Sequence, residues 1–463
     1  MYLREFRIQD IKCFEDVQLH FPHDGDDYSG WVVLLGGNGM GKSTLLQAMA
    51  ISLVGPLAGQ RLLNPDGWVR EDKKLGSFLA SIIKGDRDIA SGQPRRRPYE
   101  TSFTVTGRNL IDLRGIPYDQ PQLILTSETK DQKSLMSGPY AARKTGWFSC
   151  GYGPFRRLLG GASEVSQLMF STGRESRFVT LFREAAALTQ CAEWLSSLYS
   201  RSIDPHHPDK ERAQKAYEVV RRVIDDLLPD PVRLCRITTE RVTFISVGGA
   251  EVAVLDLSDG YRSFLALAID ILRHLEASTD DFGALVEKDE EGTRVIAEGV
   301  ILIDEIDAHL HPIWQREIGF LLRQSFPRMQ FIVTSHSPFV AQAASDGGLI
   351  VLRDTEENGV VRAEYPVDSV RGWRVDQILT SPLFGLSGTR DEETEDLIRE
   401  HADLVARRQW KKLNEKERKE LIQLEERLAQ RLTAPGETAE ERLRQQEMEK
   451  YVEETLTKLG TTK

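Results

Sequence analysis

The chain has 463 residues, 40% of them apolar and 28% charged, with a formal net charge of -11. That length exceeds one typical domain, so two lobes or one large domain with insertions are expected, with apolar residues enough for a sizeable core. The acidic balance excludes a uniformly basic nucleic-acid binder but leaves room for a local basic patch, because net charge describes the whole field and not one groove.

The N-terminal segment alternates polar residues with Leu3, Phe6, Ile8, Val17, Leu19 and Phe21, which predicts short, partly exposed strands. It carries no apolar leader, and no run in the chain approaches the roughly 18 apolar residues of a membrane span. Cys13, Cys150, Cys191 and Cys235 form no CxxC pair and read as reduced, buried thiols. A soluble, cytoplasmic protein without a membrane partner is therefore expected.

Trp31 to Leu35 is a continuous apolar run, as in a strand buried on both faces. Glycine-rich sequence follows at once, and Ser43 to Ala50 then reads as a helix. Residues from about 60 to 145 are mixed, and Arg95-Arg96-Arg97 between two prolines reads as a solvated loop. From about 174 to 228 the pattern is helical: Phe178, Leu181, Phe182, Ala185, Leu188, Ala192, Leu195 and Leu198 form one stripe, read as the core of a helical insertion. Strand-like sequence returns at Arg241 to Ile245 and Val252 to Leu255. A helix from Arg262 to Leu275 comes next, then an acidic loop from Glu287 to Glu291. Two apolar strands follow, Val300 to Ile303 and Phe331 to Thr334. From about Arg390 the chain is charged and helical, broken at Ala434-Pro435-Gly436, with Leu413, Leu421, Leu424 and Leu428 able to bury one face.

Four short motifs carry chemistry. Gly36-Gly37-Asn38-Gly39-Met40-Gly41-Lys42-Ser43 is a full GxxxxGK[ST] loop between a buried strand and a helix. Its glycines allow positive φ, so successive N–H groups can cradle phosphates at the helix N-terminus. Residues Gly36 to Thr44 are thus expected to hold ATP, with Lys42 reaching the β- and γ-phosphates and Ser43 a ligand of Mg²⁺. Asp304 and Glu305 end the strand Val300 to Ile303; Asp304 is placed to hold Mg²⁺ and Glu305 to act as general base or to orient water. Ser335-His336-Ser337-Pro338 follows the last strand and puts His336 at a strand end, beyond the acidic pair in sequence. Leu257-Ser258-Asp259-Gly260-Tyr261-Arg262-Ser263 precedes a helix; the Ser258 hydroxyl and the close approach allowed by Gly260 make a γ-phosphate receptor.

This last motif resembles the LSGGQ-type signature of ABC ATPases, with Asp259 and Tyr261 in place of Gly and Gln. In that class the signature faces the nucleotide of a second subunit. Lys or Arg at the place of Arg262 is frequent in SMC-like proteins, and the histidine loop resembles the class's switch histidine, which implies that His336 contacts the γ-phosphate or the attacking water. The stretch Asp304 to Pro312, with its His309-Leu310-His311-Pro312 ending, resembles the overcoming-lysogenization-defect (OLD) ATPases; a His-x-His metal site there lacks a third ligand. Cys150 to Leu158 and Gln377 to Gly385 resemble segments of the PtuA family of Septu-type antiphage ATPases and their retron-associated relatives.

The resemblance implies an α/β fold: an ABC-ATPase head, that is, a P-loop NTPase with a mixed central sheet flanked by helices, a helical insertion and a charged helical tail. The boundaries expected are 1–60 and 61–160 for the N-terminal part of the head, 161–232 for the insertion, 233–388 for the C-terminal part and 389–463 for the tail. It implies an ATP- and Mg²⁺-dependent ATPase that dimerises or forms larger assemblies and controls a separate HNH nuclease in antiphage defence. OLD nucleases carry a Toprim domain after the switch histidine; the sequence after His336 offers no such pattern, so no nuclease site is expected. Gln120 and Gln122 are the candidates for the Q-loop glutamine. The alternative is a RecF- or SMC-like clamp that binds DNA through Arg95 to Arg97, Arg143, Lys144, Arg156 and Arg157; a transporter motor is a weaker third.

Overall fold

In a computed structural model, the alternating N-terminal segment forms the antiparallel pair β1 (Tyr2–Ile11) and β2 (Phe14–His20), and the apolar run becomes β3 (Gly30–Gly36), with Trp31 to Leu35 all buried. The structure describes residues 1–25, 27–89, 97–107, 120–141, 146–156, 173–184, 186, 188, 190–228, 232–239, 241–289, 292–355, 359–366, 369–410 and 413–431. It divides into two compact units, Met1–Ile378 and Leu379–Lys463.

In the first unit, β4 (Leu75–Ile83), β5 (Tyr99–Thr106) and β6 (Leu123–Leu125) complete an antiparallel sheet of order β2-β1-β4-β5-β6. The second sheet uses β7 (Phe148–Tyr152) as one edge. Three short strands, β8 (Arg233–Ile237), β9 (Val242–Ile245) and β10 (Glu251–Ala253), form a small antiparallel sheet apart from it. β11 (Val286–Asp289) and β12 (Gly292–Val295) pair as a hairpin. β13 (Gly299–Ile303), β14 (Met329–Thr334), β15 (Leu349–Thr355) and β16 (Val360–Glu364) finish the second sheet, of order β16-β15-β3-β14-β13-β7. Only β16 runs antiparallel to its neighbour there. Helices on the faces of a parallel sheet bury both sides, which is why β13 and β14 contain no exposed residue. The helix Lys42–Val54 contacts strands of both sheets and has no polar face: Leu45, Leu46, Met49, Ile51 and Leu53 are all fully buried.

Two expectations are corrected. The stripe from Phe178 to Leu198 is not one helix: Phe178 and Leu181 belong to a one-turn helix (Val179–Phe182) separated from the helix Gln190–Ile203. The short helix ends where Arg183 turns to extended backbone (φ -132°, ψ 106°), and Phe178 and Leu181 lie against Gly151 of β7, where a Cβ would stand 2.6 Å from the Phe178 ring and 3.0 Å from Leu181. These two side chains pack on β7, and the helices Gln190–Ile203 and Lys210–Leu227 pack on one another. Of the expected acidic loop, residues 287–289 belong to strand β11, which pairs with β12, and Glu290 and Glu291 lie outside the described residues. Glu287 pairs with Arg294, Thr293 and Val295 turn inward, and Thr293 N donates to Asp226 Oδ2 at 2.8 Å.

The second unit contains the helices Glu392–Trp410 and Glu415–Arg431, which bury Leu397, Leu404, Leu413, Leu421, Leu424 and Leu428 against one another. The expected break at Ala434 to Gly436 lies outside the described residues. Cys150 and Cys191 are buried thiols, whereas Cys13 and Cys235 are half-buried. Among the described residues no helix is long and apolar enough to cross a membrane.

Candidate nucleotide site

Parallel pairing delivers three of the motifs to one edge of the sheet. Leu34 of β3 lies beside Thr334 of β14, and Val333 lies beside Ile303 of β13, so Gly36, His336 and the Asp304-Glu305 pair leave adjacent strand ends together. Crevices at the carboxyl ends of such strands are the usual ligand position in α/β sheets.

Gly36 and Gly37 leave β3, and the turn through Asn38, Gly39 and Met40 closes with Met40 N donating to Gly37 O at 3.4 Å. Gly39 (φ 80°) and Gly41 (φ 77°) take left-handed backbone. At Gly41 there is no room for a side chain either, since a Cβ would fall 2.5 Å from the Phe14 ring and 2.6 Å from Cys13 Sγ. Over Gly39 there is open space. Lys42 Nζ donates to Gly36 O (2.8 Å) and Gly37 O (3.0 Å), so the ammonium lies across the loop. Burial pushes its pKa down, while Asp304, Glu305 and Asp307 pull it up. On the first helical turn Ser43 is exposed and Thr44 is buried.

Asp304 is 5% exposed, and its Oδ1 accepts from Thr334 Oγ1 at 2.5 Å. The same Thr334 oxygen accepts from Glu305 N at 2.7 Å, and Thr334 O accepts from Ile306 N at 3.0 Å. Asp304 N donates to Tyr152 O of β7 at 2.8 Å. The Glu305 carboxylate is exposed, on a backbone with φ 45°. A left-handed non-glycine residue costs on the order of 1–3 kcal/mol and persists where its surroundings over-determine it. Here those surroundings are Thr334 and Arg156, whose guanidinium binds the carbonyls of Asp304, Glu305 and Ile306. His336 is exposed at the same edge. It is carried by buried Ser335, whose Oγ accepts from Ser337 N at 2.9 Å, and by Ser337, which caps the helix Pro338–Gln342.

Ser258 and Gly260 are placed differently. Ser258 holds the N-cap position of the helix Asp259–Ala277, yet its exposed hydroxyl makes no capping bond. A Cβ at Gly260 would stand 3.2 Å from His309 O, and Tyr261 and Phe264 pack their rings on Trp314 at 4.8 and 5.0 Å. The signature thus packs on the segment 309–314, while the phosphate loop packs on Cys13, Phe14 and Leu352. His311 caps the helix Pro312–Ser325, its Nδ1 accepting from Ile313 N at 3.4 Å. Among the described residues no group of three or more His, Cys, Asp or Glu has the arrangement of a metal site.

Three residues of this edge escaped the sequence reading. Thr334 lay inside a recognised motif as a strand residue, and Asp307 has a buried carboxylate oxygen, Oδ1, without a hydrogen-bond partner. Arg156 was read as a groove cation; it is 3% exposed and is bound to main chain, so it is no part of a basic surface. Of the other cations named for that groove, Arg97 is exposed, and Arg95, Arg96, Arg143, Lys144 and Arg157 lie outside the described residues. Gln122 hydrogen-bonds within the antiparallel sheet through its main chain, donating to Thr106 Oγ1 at 2.7 Å, and Gln120 is exposed.

Residues 171–341 match the protein-family model described as "AAA domain, putative AbiEii toxin, Type IV TA system", and residues 5–136 match a second model described as "AAA domain". The chain is 27% identical over 397 residues to the Septu protein PtuA of Bacillus mycoides (strain KBAB4), covering 85% of this chain and 46% of that one. It therefore spans about half the length of that relative. It is 24% identical over 403 residues to the Retron Vc95 probable ATPase of Vibrio cholerae serotype O1 biovar El Tor, covering 76% of this chain and 74% of that protein. Among solved structures, the SMC head bound to the C-terminal winged-helix domain of ScpA aligns with a TM-score of 0.45 at 15% identity, covering 79% of this chain and 98% of the other. Two AAA-domain models thus match separate parts of the chain, which carries a phosphate loop beside an acidic strand end and is similar over most of its length to Septu PtuA and to a retron ATPase.

Proposed function

We propose that the chain is the ATP-binding and ATP-hydrolysing subunit of an antiphage defence complex, which dimerises through ATP and controls a separate nuclease. The observation that carries this reading is the delivery of phosphate loop, Asp304-Glu305 pair and His336 to one edge by β3, β13 and β14. The donors fit ATP and Mg²⁺. Ser43 and Asp304 are the hard oxygen ligands that Mg²⁺ takes, and the space over Gly39 admits a phosphate against the main chain.

In this mechanism Lys42 exchanges its bonds to Gly36 O and Gly37 O for phosphate oxygens. Ser43 and Asp304 would hold Mg²⁺, which would supply charge neutralisation on those phosphates. Glu305 orients the attacking water or takes its proton, and His336 senses the γ-phosphate. Ser258 and Gly260 offer a helix N-terminus to the nucleotide of a second copy. Closing and reopening of such a pair would license or restrain the nuclease, with opening rather than bond cleavage able to set the rate.

Lys42→Ala is expected to abolish nucleotide binding. Glu305→Gln is expected to bind ATP, to hydrolyse it about 100-fold more slowly and to accumulate as a closed dimer, as loss of a general base predicts. Normal hydrolysis by Glu305→Gln would remove Glu305 from its role. Affinity purification from native cells in ATP tests the wider reading: a copurifying nuclease supports it, and DNA alone would sink it.

A further inference from the structure

The guanidinium of Arg156 is buried where the acidic turn meets the helix that follows the signature motif. Its Nη1 donates to Gly153 O (2.9 Å) and Asp304 O (3.0 Å), its Nη2 to Glu305 O (3.2 Å) and Ile306 O (3.2 Å), and its Nε to Ser263 Oγ (3.3 Å). An arginine side chain has five N–H donors, and every one of them is used here. Three of the acceptors are main-chain carbonyls of a turn that has left the sheet, around the residue whose φ is 45°. A sheet neighbour cannot bind such carbonyls, and a lysine, with one nitrogen, cannot span these three together with Gly153 O. Burial pushes the pKa of Arg156 down to about 10, with Asp304, Asp307 and Glu305 opposing. At neutral pH the cation therefore persists in the interior.

Ser263 stands one helical turn beyond Gly260. Gly260 itself packs on His309 O, and Tyr261 and Phe264 on Trp314. The first turns of the signature helix and the turn from Glu305 to His309 are thus one packed body, with Arg156 as its polar pin.

We propose that Arg156 is a positioning residue for ATP hydrolysis: it fixes the main chain that aims Glu305, and through Ser263 it ties that aim to the signature helix. The proposal rests on the ATPase reading above. It says that what Ser258 and Gly260 contact is transmitted to the hydrolytic carboxylate of the same chain, and that Arg156 acts on turnover and not on nucleotide affinity.

The test measures steady-state ATPase activity, binding of a fluorescent ATP analogue and thermal melting for the full-length wild type, Arg156→Lys and Ser263→Ala. Arg156→Lys should lower kcat about 10- to 100-fold while KM and the analogue Kd stay within about threefold, the split expected when a transition-state arrangement alone is lost. Ser263→Ala should lower kcat by about 3- to 10-fold on the same reasoning. A wild-type kcat in folded Arg156→Lys would overturn the proposal. So would loss of analogue affinity in step with kcat, which marks ordinary support of the fold. If Arg156→Lys does not fold, Ser263→Ala decides: an unchanged kcat overturns the proposal, and a reduced kcat at unchanged Kd supports it. A wild type that neither binds nor hydrolyses ATP defeats the ATPase reading itself, and the wild-type arm shows this separately.

Discussion

At Gly39 and Gly41 the phosphate loop passes through left-handed backbone at no steric cost, because neither residue has a Cβ. At Glu305, on a strand end two places along the same sheet, the acidic turn does so with a full side chain, and Thr334 and Arg156 hold it there. The loop's shape is written into its own residues, whereas the turn borrows its shape from residues 29 and 149 positions away. Damage to the loop should therefore be local and severe. Damage to the turn should be graded according to which partner is removed.

Between the loop and the turn, the largest effect of a change in backbone shape is expected at Gly41. Gly41→Ala meets the Phe14 ring and Cys13 Sγ inside contact distance and also forces an alanine to positive φ. Nucleotide affinity should fall by more than about 100-fold, since a 1.4 kcal/mol loss is already tenfold. Titration with a fluorescent ATP analogue measures it. Near-normal affinity would show that the loop, too, is shaped from outside.

Behind the turn, Tyr152 joins the acidic strand to a buried charge cluster. Its carbonyl accepts from Asp304 N, and its hydroxyl donates to Asp270 Oδ2 at 3.1 Å. Burial would push the Asp270 carboxyl up, but His274 and Arg273 outweigh it and hold the group below the usual carboxylate range. Asp270→Asn leaves Arg273 without its partner, and breaking a buried pair costs about 3–5 kcal/mol. Because the folded pKa is depressed, this stability is present above the unfolded value of about 3.9 and is lost as pH falls through the lower folded one. The gap in denaturation midpoint between wild type and Asp270→Asn should therefore be full at pH 7 and shrink below about pH 4. A gap that did not shrink as pH fell below about 4 would reverse the assignment.

The same contrast explains what could be read from the sequence. The phosphate loop, the strands Val300 to Ile303 and Phe331 to Thr334, and the leucines of the helical hairpin are contiguous patterns with a local physical cause. Arg156 is not: nothing in Gly153-Pro154-Phe155-Arg156 distinguishes a surface cation from one inserted among carbonyls of residues 304 to 306. Phe178 and Leu181 likewise pack on the bare surface of Gly151, a partner outside their own periodicity. Charge in the hairpin β11–β12 obscured a register that Thr293 and Val295 carry from within.

Thr334→Val gives the smallest of these effects and the sharpest separation. The change keeps the β-branched shape of a wholly buried residue and removes one oxygen. That oxygen serves both sides of the turn, donating to Asp304 Oδ1 and accepting from Glu305 N. Its loss leaves a main-chain N–H and a buried carboxylate short of a partner, at a cost of about 1–3 kcal/mol. Arg156 still grips the carbonyls of the same residues, so the turn should loosen without unfolding. A lowered denaturation midpoint, with kcat falling further than nucleotide affinity, is the expected pattern. An equal fall in both would mean that Thr334 supports the phosphate loop as much as the turn, and the two regions would then have to be treated as one.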